Sequence, residues 1–161
     1  MRAIGICLSL TLFALSALAQ QPARATKTYT SADEIKALIA KAKSERKGDA
    51  PIVAEQILTL APYNANLEYR AAVGPAAVHE KEAEMFYVID GSGTLMTGGK
   101  LTNEKRTNSA NLTGTGIENG TARDIAKGDF VIVPENTPHW FSSINGTLVL
   151  MSLHVPREGG K

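Results

Sequence analysis

Residues 84–99 read EMFYVIDGSGTLMTGG, and residues 128–144 read GDFVIVPENTPHWFSSI. Both are short apolar runs broken by Gly, Pro and Asn. In Glu84–Ile89, alternation sets Glu84, Phe86 and Val88 on one face and Met85, Tyr87 and Ile89 on the other. Asp90-Gly91, Gly98-Gly99, Lys127-Gly128-Asp129 and Pro134-Glu135-Asn136 are turn signals. Working outward, the same alternation marks candidate strands at Ile52–Leu60, Leu67–Val73, Thr94–Thr97, Thr121–Ile125, Phe130–Val133, His139–Ile144 and Thr147–Val155. Asn145-Gly146 between apolar runs is a strong hairpin signal. Many short, evenly spaced strands predict an all-β sandwich or barrel. Residues 100–120 are polar and too long for a plain turn, so they form a functional loop or a small decorated hairpin. Asn111, Asn119 and Asn145 head N-x-T triplets, read here as chance matches.

Before Ile52 the pattern is helical. Ser31 and Glu34 form an S-x-x-E capping box. Ile35, Leu38, Ile39 and Ala42 then share one helical face. Acidic residues open this segment and basic ones close it, which suits the helix dipole. Gly48 and Pro51 end it. The apolar stripe is expected to pack on the barrel. Residues 20–29 are polar and without period, and are read as a flexible arm.

The first 19 residues, MRAIGICLSLTLFALSALA, are an address rather than structure. Arg2 is a positive start, Ile4 to Leu18 an apolar run, and Ala17-Leu18-Ala19 a small-x-small cleavage site. The run is short for a membrane span of about 20 residues. The expectation is a cleaved signal peptide, a periplasmic or secreted protein, and no stable membrane anchor after cleavage. The predicted organisation is a signal peptide at 1–19, an arm and amphipathic helix at 20–50, and a barrel at 51–157.

Of 161 residues, 17 are Lys or Arg and 16 are Asp or Glu, so a nucleic-acid partner is not expected. One Cys, within the leader, excludes an internal disulfide and a thiolate metal cluster. Chemistry must therefore rest on His, carboxylates and hydroxyls. No nucleophile motif or Gly-rich phosphate loop is present.

The three His residues are His79, His139 and His154. His79 stands five residues before Glu84, and His139 opens a strand after a Pro-rich turn. Two imidazoles and a carboxylate from neighbouring strands can hold a first-row metal and leave positions open for a ligand. His154 lies on a strand apolar on both faces and is expected to be structural. His139 and Phe141 share a face, and Trp140 points away, into packing or an interface. Phe130 heads an apolar strand and is expected in the interior. Arg70 is expected to be solvated, as is the charge run Glu80-Lys81-Glu82, although Glu80 or Glu82 could also serve as a ligand.

Gly74-x(4)-His79-x(4)-Glu84-x(6)-Gly91 resembles the first motif of the cupin superfamily, and Gly128-x(5)-Pro134-x-Asn136-x(2)-His139 resembles the second. Ala77 stands where the family's first His would be. Asn136 replaces a Gly, and Asn also tolerates a left-handed backbone. The resemblance spans roughly Pro51 to Val155. It implies an all-β double-stranded β-helix, or jelly-roll barrel, with a short N-terminal α-helix. It further implies a divalent metal ion (Fe, Mn, Zn or Ni) on His79, Glu84 and His139, and a small-molecule ligand. The alternative is a metal-free small-molecule-binding cupin or a structural homodimer module, with Ala77 marking a lost site.

Overall fold

The computed structural model describes residues 25–157, so the expected leader lies outside the described residues. Helix α1 runs Ala32–Glu45. Thirteen strands follow: β1 Ile52–Leu60, β2 Tyr63–Arg70, β3 Ala76–His79, β4 Glu82–Asp90, β5 Ser92–Thr97, β6 Lys100–Thr102, β7 Lys105–Arg106, β8 Asn111–Gly114, β9 Gly116–Glu118, β10 Thr121–Ala126, β11 Phe130–Val133, β12 His139–Ile144 and β13 Leu148–Pro156.

The strands form two facing antiparallel sheets. One has the order β1-β2-β13-β4-β11 and the other β10-β5-β12-β3-β8-β7. Between them lies a core of Phe86, Val88, Leu95, Ile125, Val133, Phe141, Leu148 and Leu150. The expected faces hold: Glu84, Phe86 and Val88 are buried together on β4, as are His139 and Phe141 on β12. Gly91 lets β4 turn into β5, because its φ is +86° and a Cβ would run into the Thr147 carbonyl.

A second core lies outside the barrel. Ile35, Leu38, Ile39 and Ala42 of α1 pack on Ile57, Ala65, Leu67 and Val149. The capping box is formed: Glu34 N donates to Ser31 Oγ at 3.2 Å, and Ser31 N to the Glu34 carboxylate at 2.8 Å. The helix stops at Glu45, short of Gly48, whose positive φ serves the next turn. The arm is pinned rather than free at Lys27, whose backbone bonds Thr59 at 2.9 and 2.8 Å.

Three further expectations are corrected. The strand expected at Leu67–Val73 is β2, Tyr63–Arg70. Ala61-Pro62 is a two-residue turn, so β2 begins at once on the polar Tyr63-Asn64, which conceals it in the sequence. Phe130 is 57% exposed, because β11 is an edge strand and Phe130 points away from the barrel interior. Arg70 is buried: it ion-pairs with Glu68 and lies 4.2 Å from the Phe141 ring centroid. The polar segment 100–120 is a decorated hairpin. β6 and β9 form a separate two-stranded sheet, and β8 joins the large sheet beside β3.

Candidate metal centre

Register assembles the site. On one sheet β13 pairs with β4 so that His154 stands directly opposite Glu84. On the other, His139 of β12 stands opposite Ala77 of β3, and His79 lies two residues further along the same face. The turn into β12 is tied to β3 by Asn136, whose N–H donates to the His79 carbonyl at 2.7 Å. Asn136 has φ of +56°, the left-handed conformation its side chain tolerates.

The Nε2 atoms of all three imidazoles approach one carboxylate. His139 lies 3.0 Å and His79 3.2 Å from Glu84 Oε2, and His154 lies 3.3 Å from Glu84 Oε1. Ligand atoms of His79, Glu84 and His154 all fall within 4.8 Å of one another. His139 touches Glu84 but lies outside that group, so it must shift toward the other imidazoles to share an ion with them. Donors about 2.1 Å from a common ion stand roughly 3.0 Å apart at right angles and roughly 3.4 Å apart at the tetrahedral angle. The three His–Glu84 separations lie in that interval, so each imidazole can share a first-row divalent ion with Glu84, and His79, Glu84 and His154 form the group that fits one ion as placed.

The far nitrogens are also placed. His79 Nδ1 lies 2.8 Å from Asn111 Oδ1, and His139 Nδ1 lies 3.3 Å from the Thr137 carbonyl. An acceptor at Nδ1 draws the ring proton there and leaves the Nε2 lone pair for the centre. His154 Nδ1 is 2.8 Å from Glu82 Oε1 but off the hydrogen-bond direction. Glu80 faces outward to Arg106, with contacts of 2.7 and 2.9 Å.

Glu84 is 4% exposed. Burial pushes its pKa up, but the His139 and His79 imidazoles overcome this and hold it well below the usual carboxylate range. Burial pushes His79 down, while Glu84 and Asn111 raise it further, so its net shift is upward. The structure brings together His79, Glu84 and His139, the set read from the sequence. It adds His154, read there as structural. Seventy residues separate Glu84 from His154, and only the β4–β13 register reveals that they meet. Asn111 was likewise missed, because its N-x-T triplet carries no sign that β8 lies against His79.

The Cupin family model matches residues 54–158. The chain belongs to the cupin family. Its barrel is the cupin double-stranded β-helix, and His154 of β13 brings a third imidazole to within 3.3 Å of Glu84. DMSP lyase DddQ from Ruegeria pomeroyi DSS-3 superposes with a TM-score of 0.53 at 16% identity, covering 84% of this chain and 69% of that one. A structure of Fe(II) HppE superposes with a TM-score of 0.51 at 16% identity, covering 68% of this chain and 53% of that one. At these identities the likeness is one of fold. No curated protein matches the chain by sequence.

Proposed function

We propose that this cupin is exported, binds one divalent metal ion through Glu84, His79, His139 and His154, and uses the centre to bind or transform a small molecule. The observation that carries the reading is the approach of three Nε2 atoms to one buried carboxylate at 3.0–3.3 Å. Three neutral imidazoles suit Fe, Mn, Zn or Ni, and one carboxylate offsets part of the charge. The Fe(II) named for HppE keeps iron among the candidates. Bound there, such an ion supplies Lewis acidity, or redox reactivity if it is iron. The chain's own groups orient and shield it. Asn111 and the Thr137 carbonyl hold two rings by their Nδ1 atoms, and Phe86 packs 5.9 Å from the His139 ring, keeping that side apolar.

Export rests on Arg2, the apolar run and Ala17-Leu18-Ala19. A homodimer is supported by Tyr87, Phe130 and Ile132, exposed large side chains beside the free edge of β11.

The test is titration of Zn²⁺ or Mn²⁺ into chelator-stripped protein. The wild type is expected to take up one equivalent, and His79→Ala and His139→Ala each to weaken uptake sharply. Ala77→His adds an imidazole on the His139 row and is expected to tighten it. If the wild type takes up no ion while Ala77→His does, the barrel has lost its metal and the metal-free binding reading stands.

A further inference from the structure

The two sheets do not close on the side away from β1. Between β11 of one and β5–β10 of the other lies a cleft of about 290 Å³. Its wall includes Leu95, Thr97, Arg123, Val131, Ile132 and Thr137. Register places these residues relative to the metal centre. Thr97 stands opposite His139, and Arg123 stands opposite Leu95, which in turn stands opposite Phe141. Arg123 therefore shares the inner face of its sheet with buried Leu95 and Phe141. Thr137 is the residue whose carbonyl faces His139 Nδ1. The cleft thus runs along the β5 residues that pair with the start of β12, where His139 stands.

Arg123 is distinctive. Among the described residues, Arg70, Arg106 and Arg157 pair with carboxylates, and Arg46 donates to the Ala50 carbonyl at 2.8 Å. Arg123 has no such partner among them. The neighbouring acid, Asp124, is turned to the opposite face and accepts from Thr94 Oγ1 at 2.9 Å. An unpaired guanidinium, the Thr97 side chain, and apolar walls from Leu95, Val131 and Ile132 thus line one cleft. A guanidinium presents a planar fork that matches a carboxylate. One cation matches a single negative charge, and the apolar walls match a hydrocarbon body.

We propose that the cleft between β11 and β5–β10 binds a small organic monocarboxylate, its acid group on Arg123 and its apolar body on Val131 and Ile132. This deepens the small-molecule part of the function proposed above and does not need the metal.

The test uses benzoate as probe, with benzyl alcohol as its uncharged counterpart. Both are titrated into amide-labelled full-length protein, metal-loaded and chelator-stripped, and followed by NMR. Benzoate is expected to shift amides of β5, β10 and β11 saturably in both forms, and benzyl alcohol far less. Arg123→Gln is expected to weaken benzoate binding by about tenfold or more, since it removes a charge-assisted hydrogen bond to the acid group. Arg123→Gln is also expected to leave metal uptake unchanged, and His79→Ala to lose metal yet keep benzoate. No saturable shift in these strands, or equal benzoate binding by Arg123→Gln, overturns the inference. Benzoate binding that vanishes in His79→Ala and survives in Arg123→Gln also overturns it, while leaving the metal reading intact.

Discussion

At Glu84 burial and neighbouring imidazoles oppose each other, and the imidazoles prevail. The consequence for pH follows from the signs. His79 has a raised pKa in the fold, so its contribution to stability is fully present below about 6.5 and fades as pH rises through the raised value. Glu84 has a lowered pKa, so its contribution is present above about 4.3 and fades as pH falls through the depressed value. Metal-free protein is therefore expected to melt at a lower temperature at pH 8 than at pH 6. Metal ligation needs neutral imidazoles, so the rise in melting temperature on adding Zn²⁺ is expected to grow over the same interval. Thermal melts with and without Zn²⁺ check both trends, and a metal effect that shrinks as pH rises would contradict this site. His154 supplies the second residue-level expectation. His154→Ala should weaken Zn²⁺ uptake about as much as His139→Ala, measured by competition with a chelator of known affinity. Unchanged uptake would return His154 to the structural role its apolar strand suggested.

At the scale of the element, exposure separates two phenylalanines of similar sequence context. Phe86 is 0% exposed at the centre of the barrel, and Phe130 is 57% exposed on edge strand β11. Phe86→Ala is expected to cost about 3–5 kcal/mol and Phe130→Ala much less, as read by urea unfolding. Ser31→Ala, which removes half of the capping box, is expected to cost about 1 kcal/mol. Strands that alternate strictly were legible: β4 and β12 have the faces their sequences indicate. The position of β2 was not, because its first residues are polar and its register depends on β1 and β13. The burial of Arg70 was hidden for a related reason. Its partner Glu68 is two residues away on the same face, yet only the opposite sheet supplies Phe141 beneath the guanidinium.

For the molecule as a whole, two layers of packing leave one end of one sheet bare. Helix α1 covers β1, β2 and β13, while Tyr87 and Ile132 on β4 and β11 remain exposed. A second copy seated there would give a sedimentation coefficient for a dimer that Ile132→Lys shifts toward the monomer. Export predicts that protein recovered from the periplasm or medium begins at or near Gln20, as read by mass spectrometry of its N-terminal peptide. The cupin barrel was legible, and so were three of the four side chains that meet at the Glu84 carboxylate, because motif spacing is a local property of the chain. The fourth was not, because it depends on which strands become neighbours.

The central claim is that four side chains hold one ion. Anomalous diffraction from a crystal of metal-loaded protein, at the absorption edge of the added ion, tests it most directly. The account predicts one peak about 2.0–2.2 Å from Glu84 and from Nε2 of His79, His139 and His154. A metal-soaked crystal with no peak among these residues, or with a peak that His154 does not touch, would contradict it.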